Sequence, residues 1–342
     1  MNLTVGLTYD LRDEYRLRGL TAEETAEFDS IETIEALEGA LTSLACRTDR
    51  IGSIHRLTER LAAGDRWDLV FNIAEGLRGF GREAQVPALL DAYEIPYTFS
   101  DPLTLAVALH KATAKRVVRD LGVPTPDFTV VHTADEAPAV DLPFPLFVKP
   151  VAGGTSQGID AASKVLSRES LTRRCGELAA RFQQPVLVER YLAGREVTAG
   201  VVGTGADARV LGVMEVLLQP VADQGVYSYT NKSQYHGRVE YALASGALSA
   251  EAADVALRVW RGLGCRDAGR VDLRCDEQGR VHFLEVNPLA GLHPVDSDIA
   301  VLCGLTGTSY RELIAMILSS AGERLSNAGS RLRATATVAD GV

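Results

Sequence analysis

The pattern of apolar residues changes character about a third of the way along the chain, and that change constrains the fold more than any single motif. Before it, short apolar runs alternate with amphipathic stretches: residues 3–8 read as a strand, Glu23 to Leu44 as a polar helix, and Trp67 to Asn72 as the strand closing a second unit. Such alternation predicts a parallel sheet. Pro96 and Pro102 punctuate the next segment, and a helix from about Leu103 to Leu121 is expected to stop at Gly122, ahead of Pro124 and Pro126. After that point strands follow one another: Phe128 to Val131, Phe144 to Lys149, Val186 to Arg190, Val197 to Val202 and Arg209 to Leu218, with one helix from about Ser167 to Phe182. A loop from Asp223 to Gly237, a helix from Ser249 to Leu263, strands Gly269 to Cys275 and Arg280 to Asn287, and a last helix from Ser309 to Ala321 complete the pattern. The expectation is therefore α/β followed by α+β, with hairpins in the second part. At 342 residues the chain is longer than one core usually serves, roughly 250–300 residues, so it divides. The expected division is 1–105, 106–195 and 196–325, with 326–342 a fraying tail.

Charge removes several function classes. With 35 Lys and Arg against 45 Asp and Glu, the formal charge of −10 repels polyanions, so neither nucleic acid nor an anionic membrane surface is an expected partner. The five cysteines have no C-x-x-C spacing and read as reduced core thiols. The start of the chain lacks a signal-peptide pattern, and no run approaches ~20 uninterrupted apolar residues. A cytoplasmic location is expected. Six histidines show no metal spacing, and no G-x-S-x-G elbow is present.

Two segments carry chemistry. In Leu146–Ile159 a buried strand delivers Lys149, and a loop containing Gly153, Gly154, Thr155, Ser156 and Gly158 follows at once. Glycines there let backbone N–H groups approach phosphate oxygens, although the spacing is not that of a P-loop. A plain hairpin loop with a surface lysine is the alternative. The second segment is a hairpin. A two-residue turn centred between Glu277 and Gln278 would pair Asp272 with Phe283 and Arg270 with Glu285. Alternation would then set Arg270, Asp272, Glu285 and Asn287 on one face, with Val271, Leu273, Leu284 and Val286 on the other. Two carboxylates and an amide oxygen form the hard donor set that Mg²⁺ prefers, whereas an exposed ion-pair ladder is the bland account of the same residues. A one-residue slip would separate them.

In this order and separation the two segments resemble the ATP-grasp superfamily, and within it the D-alanine–D-alanine ligase family. The resemblance runs from about Trp67 to Leu313. It includes Phe71-Asn72, Gly76 to Gln85, Ile95-Pro96-Tyr97, His110-Lys111, and Glu189 to Glu196 as well as the two segments. It implies an ATP-grasp fold behind an N-terminal parallel-sheet domain, and ATP with Mg²⁺, or Mn²⁺ in its place, as cofactors. Small carboxylate and amine compounds would be the substrates, with a homodimer left open. By the same resemblance Lys111, Lys149 and the loop of Gly154, Thr155 and Ser156 hold phosphates or the purine edge. Glu189, with the backbone of Arg190 to Leu192, holds adenine, and Glu196 holds ribose. Asp272, Glu285 and Asn287 bind metal. Arg270 stabilises the transferring phosphoryl and the later oxyanion, and Lys232 closes over the phosphates from a mobile loop.

Two departures bear on the substrate. The family's glycine- and serine-rich opening, with its amine-binding glutamate, is replaced by Val5 to Leu11, leaving Asp10 or Glu14 as the candidate carboxylate. The acceptor side reads Leu289 to Asp298, so that Gly291, His293, Asp296 and Ser297 are the expected substrate contacts. Asp296 and Asp298 would repel a free carboxylate there, or else cap a helix beginning near Ser297. The reaction implied is amide formation through an acyl phosphate. Alternatives are the same chemistry on another amino acid and amine pair, or a non-catalytic ATP-binding protein.

Overall fold

The computed structural model describes residues 3–223 and 225–339. Its strands are β1 (Thr4–Thr8), β2 (Arg47–Gly52), β3 (Leu69–Asn72), β4 (Phe128–Val131), β5 (Leu146–Pro150), β6 (Lys164–Val165), β7 (Val186–Arg190), β8 (Glu196–Val202), β9 (Arg209–Leu218), β10 (Val239–Leu243), β11 (Ala268–Cys275) and β12 (Val281–Asn287). They form three sheets: parallel β2-β1-β3, then antiparallel β4-β7-β5-β6 and β10-β9-β8-β11-β12. The sheets fall in turn within residues 1–105, 106–195 and 196–325. Among the described residues, no single helix is long and apolar enough to cross a membrane.

In the first sheet Val5, Leu7 and Phe71 pack against Ile34, Leu37 and Leu41 of the crossover helix Ile31–Ser43. Leu313, Ile314 and Ile317 of the last helix join the same core. That helix runs Tyr310–Ala339, past the end expected at Ala321, and Arg324 ties it back by donating to Tyr97 O at 3.1 Å and Asp267 Oδ2 at 2.5 Å. Strand β2 escaped the sequence reading because it is an edge strand of polar residues, Arg-Thr-Asp-Arg, with only Ile51 well buried. The helix expected from Glu23 begins only at Ile31, and residues 21–28 form turns instead.

The helix expected across Leu103 to Leu121 is two helices, Pro102–Leu109 and Lys111–Asp120. No glycine or proline marks the break. His110 takes φ −87° and ψ 88°, pairs its backbone with Ala152, and caps the second helix through Nδ1 and Thr113 N at 3.2 Å. The interruption lets Lys111 N bond Val151 O at 2.9 Å, which seats Lys111 beside the glycine loop.

The second and third sheets each bury one face. Val148 and Val188 join Leu171, Cys175 and Leu178 of helix Arg168–Phe182. Val197, Ala199, Val271 and Leu273 pack on Val255, Ala256, Val259 and Trp260 of helix Gly246–Gly262. Trp260 lies so close to β11 that a Cβ on Gly269 would stand 2.7 Å from its ring and 2.4 Å from Asn287 O, so only glycine fits. Trp260 is fully buried, and its truncation to alanine should destabilise by about 3–5 kcal/mol. The opposite faces of these two sheets confront each other.

Candidate functional site

The hairpin β11–β12 presents its polar face by a route other than the expected one. Its turn is no two-residue loop: the Asp276 carboxylate accepts from Gln278 N at 2.9 Å and Arg280 N at 3.0 Å, holding a longer loop. Pairing near the turn is therefore Cys275↔Val281 and Leu273↔Phe283, one step off the expected register. Left uncorrected, that slip would turn Glu285 away from Asp272. A bulge at Leu284 restores the parity, and the far end pairs Asp272↔Glu285 and Arg270↔Asn287. The four residues share a face as expected, with different partners, while Phe283 rather than Leu284 enters the core.

Strand alternation builds the rest of a first pocket. Across β8–β11, Arg274 opposes Glu196 and Asp272 opposes Thr198; across β5–β7, Phe147 opposes Glu189 with Lys149 on the same face. These residues line one pocket together with Ser156, Arg190, Leu192 and Leu284. Charges in it are matched. Glu189 receives Lys149 Nζ at 2.7 Å on Oε1 and Lys115 Nζ at 2.8 Å on Oε2, all three nearly out of solvent. Burial lowers Lys115 to about 8 against the pull of Glu189. Burial also lowers Lys149, but Glu189 and Glu285 outweigh it and leave that lysine raised. Glu196 takes Arg274 Nη1 at 2.9 Å. Lys115 and Arg274 were not singled out from the sequence, since one sits mid-helix and the other beyond the polar quartet, with no motif to mark either.

Asp272 accepts from Thr198 Oγ1 at 2.9 Å, Asn287 Nδ2 at 3.0 Å and Arg270 Nε at 3.2 Å. Glu285 faces Lys111 Nζ at 3.2 Å. Burial alone would raise the Glu285 carboxyl, yet Lys111, Lys149 and Arg270 hold it well below the usual range; burial raises Asp272. Among the described residues no three His, Cys, Asp or Glu side chains converge on a metal position. Two carboxylates and the Asn287 amide nevertheless supply hard oxygen donors, to which phosphate oxygens and water would add the rest, so the set fits Mg²⁺.

The glycine loop bridges to a second pocket. Thr155 and Ser156 adopt φ of +49° and +55°, a left-handed turn beside Gly153 and Gly154. At Gly154 a Cβ would lie 2.3 Å from Glu27 Oε1, so a side chain there would expel the carboxylate. Gly154, Thr155, Lys111 and Asn287 line this second cleft of about 670 Å³, as do Gly291, His293, Asp296 and Ser297. Lys232, Arg270, Glu285 and Asp298 line both pockets, and each nucleotide, metal and acceptor-side candidate from the sequence lies on one or the other.

The amino-terminal contribution to the cleft is not the expected one. Asp10 is buried, accepting from Tyr15 OH at 2.5 Å and Gly76 N at 2.8 Å, and Glu14 sits at the surface beside Arg18. Neither lines the cleft; Glu27, Asp29, Glu75 and Glu83 do. Arg82 donates to both oxygens of Glu27 at 2.9 Å, to Glu75 at 3.2 Å, and stands 3.6 Å from Glu83. Burial, with neighbouring carboxylates, raises Glu83 to about 7 and holds Glu75 well above the ordinary carboxylate range. The acceptor-side reading also changes. Asp298 is committed to Lys232 and Arg270, and Asp296 is mostly exposed, accepting from Tyr235 OH at 2.9 Å. The two carboxylates do not form a bare repelling pair, because one is paired with two cations and the other is exposed at the rim. Ser297 occupies the N-cap position but sends its hydroxyl to His293 O at 2.6 Å. The side chain of Ser233, which follows the loop lysine, lies outside the described residues.

A family model described as the D-ala D-ala ligase C-terminus matches residues 117–319. The D-alanine–D-alanine ligase of Bordetella petrii is 35% identical over 270 residues, covering 78% of each chain. Two solved structures share the fold at a TM-score of 0.71. One, a D-alanine–D-alanine ligase from Bacillus anthracis complexed with ATP, is 18% identical and aligns over 95% of this chain and 99% of its own. The other, the VanG D-Ala:D-Ser ligase from Enterococcus faecalis, is 20% identical over 94% and 100%.

Proposed function

From the premise that this chain belongs to the D-alanine–D-alanine ligase family of ATP-grasp enzymes, we propose how its own residues divide an ATP-dependent peptide-bond-forming reaction between two pockets. The observation that carries the reading is the junction: a pocket walled by two sheets and a cleft open to the first domain share Lys232, Arg270 and Glu285. A nucleotide lying in the first would present its terminal phosphate to an amino acid lying in the second.

The adenine end lies between Phe147 and Leu284, near the Arg190 to Leu192 backbone and Glu189. Two lysines take two of the roughly four lone-pair positions of Glu189, leaving others for an amine donor. Glu196 accepts from ribose hydroxyls, oriented by Arg274. Lys149, Lys111 and the loop of Gly154, Thr155 and Ser156 hold phosphate oxygens. Asp272, Glu285 and Asn287 hold Mg²⁺, which when bound neutralises phosphate charge during transfer.

The donor carboxylate attacks the γ-phosphorus, the bond to the β-phosphate oxygen breaks, and ADP leaves. Arg270 stabilises first the transferring phosphoryl and then the tetrahedral oxyanion formed when the acceptor amine adds to the acyl phosphate. Phosphate departs and the amide remains. No protein nucleophile takes part. The substrates are small amino acids or close relatives, with the acceptor nearest Gly291 and His293. The relatives' names differ in the acceptor, D-alanine in one and D-serine in another, so acceptor identity is the variable to measure.

Purified protein incubated with ATP, Mg²⁺ and amino acids of both configurations should release phosphate with matching pairs. With ¹⁸O in the donor carboxylate, label should pass into that phosphate. Label retained wholly in the amide and unreacted acid would exclude the acyl phosphate.

A further inference from the structure

Four side chains line both pockets, and one of them, Asp298, has no part in the mechanism above. It opens the helix Asp298–Thr306 and is only 8% exposed. Its Oδ2 meets Lys232 Nζ at 2.8 Å and Arg270 Nη1 at 3.1 Å. Both contacts end on one oxygen, so the two cations stand within a few ångströms of each other. In a partly desolvated cleft such a pair repels unless a negative charge is shared. Asp272 cannot be that charge for both, because it engages the other edge of Arg270 through Nε.

The two cations arrive on separate elements. Arg270 comes from β11, fixed by strand pairing on both sides. Lys232 comes from a short helical turn, Tyr229–Ser233, within a loop that has its own internal frame: Ser228 donates to Asp223 Oδ2 at 2.6 Å and accepts from Asn231 N, while Asn231 Nδ2 reaches Asp223 O and Val226 O at 3.0 and 2.9 Å. A second tether, Tyr235 OH to Asp296, lies at the exposed rim and touches neither cation.

We propose that Asp298 is a positioning residue that acts as the shared counter-ion of Lys232 and Arg270, allowing the loop to close onto an already assembled phosphoryl receptor. The proposal rests on the ligase reading for what the receptor binds. Asp298 touches no reacting atom; it acts through the two cations. When a phosphoryl group enters, both cations can turn to it with little reorganisation, which is the condition for electrostatic catalysis. The simpler role for an acidic residue at this place is to favour the positive end of its helix, and that role predicts nothing about the loop.

The test uses the full chain as Asp298→Asn, Lys232→Met and the double variant. Each is assayed for kcat, KM for ATP, thermal midpoint, and hydrogen exchange over residues 225–237. Asp298→Asn should lower kcat by about 10²-fold, the usual consequence of a misplaced catalytic group, with the KM for ATP little changed. Exchange over the loop should accelerate to the same extent in both single variants, with no further rise in the double. Asp298→Glu places its carboxylate one methylene further out and should show the same two losses, which keeps the proposal testable if the asparagine variant does not fold. Unchanged loop exchange in Asp298→Asn, or effects of the two single variants that multiply in the double, would overturn the proposal and leave Asp298 an acidic residue that serves only the first turn of its helix. A wild type that releases no phosphate with any amino acid would count against the ligase reading alone, since the exchange comparison needs no turnover.

Discussion

The two ends of the cleft solve opposite electrostatic problems. At the end proposed to hold the nucleotide nearly every charge comes from a strand and has its counterpart on the same sheet: Lys149 with Glu189 and Arg274 with Glu196 across neighbouring strands, Arg270 with Asp272 along β11. At the amino-terminal end Glu27, Glu75 and Glu83 come from irregular segments and share one guanidinium, that of Arg82. Matched pairs on strands fix direction and leave Glu285 ionised, whereas three carboxylates around one cation leave a surplus that must be protonated or neutralised from outside. The first arrangement suits groups that must already point at a transition state. The second makes that end of the cleft sensitive to pH and to the charge of its surroundings.

The sharpest way to break this comparison is at the hairpin. Glu285→Gln and Asp272→Asn remove charge with almost no change of volume, so turnover should fall on the order of 10³-fold while the fold survives. Full activity of either variant at modest Mg²⁺, measured by phosphate release, would mean that the polar face is an ordinary ion-pair ladder.

Next comes Arg82, which is 8% exposed. Arg82→Met should destabilise by about 3–5 kcal/mol at neutral pH, because it leaves several nearly buried carboxylates without the guanidinium they share. Denaturant unfolding at pH 7 reads this directly. A loss below about 1 kcal/mol, the worth of a surface pair, would show that water already solvates the cluster and that the two ends do not differ.

These expectations depend unequally on what the sequence could reveal. Strands that are nearly continuous apolar runs, β4, β7 and β9, were read with their observed bounds. So was the shared face of Arg270, Asp272, Glu285 and Asn287, although its partners were not, because nothing in the residues announces that Asp276 lengthens the turn and Leu284 bulges. The two errors cancel in parity, and parity alone decides which side chains meet. The helix break at His110 was illegible for a related reason: it is set by pairing with Ala152, far along the chain, and not by a local breaker. The amino-terminal carboxylates were missed because residues 21–28 carry helix-forming acids that the structure folds into turns, docking Glu23 O onto Gln157 Nε2 at 2.8 Å. Asp298 was noticed as a repelling carboxylate or a helix cap, without the two cations it meets. Nucleotide-end residues thus sit on regular elements with short-range signals, whereas cleft residues depend on tertiary contacts that leave no periodic trace.

The smallest expected effect tests the surplus charge itself. Burial opposes ionisation of Glu83 and Glu27 adds like-charge repulsion, which together outweigh Arg82 and lift Glu83 to about 7, well above an ordinary glutamate near 4.3. A carboxyl raised in the folded state binds its proton more tightly there than in the unfolded chain. Its contribution to stability is therefore complete below the unfolded value and is lost as pH rises through about 7. Glu75 is raised in the same direction and shares the slope. Wild-type stability should thus decline between pH 5 and pH 8 by more than that of Glu83→Gln, whose amide cannot ionise. The variant should gain about 2 °C in thermal midpoint relative to wild type on going from pH 5 to pH 8, on the scale of roughly 1 kcal/mol in a chain of this size. Thermal unfolding across that range, with both proteins in the same buffers, measures the difference and cancels the titration of groups remote from Glu83. Parallel curves would show that Glu83 is ionised throughout, and the contrast between a matched and a surplus end of the cleft would then rest on Glu75 alone.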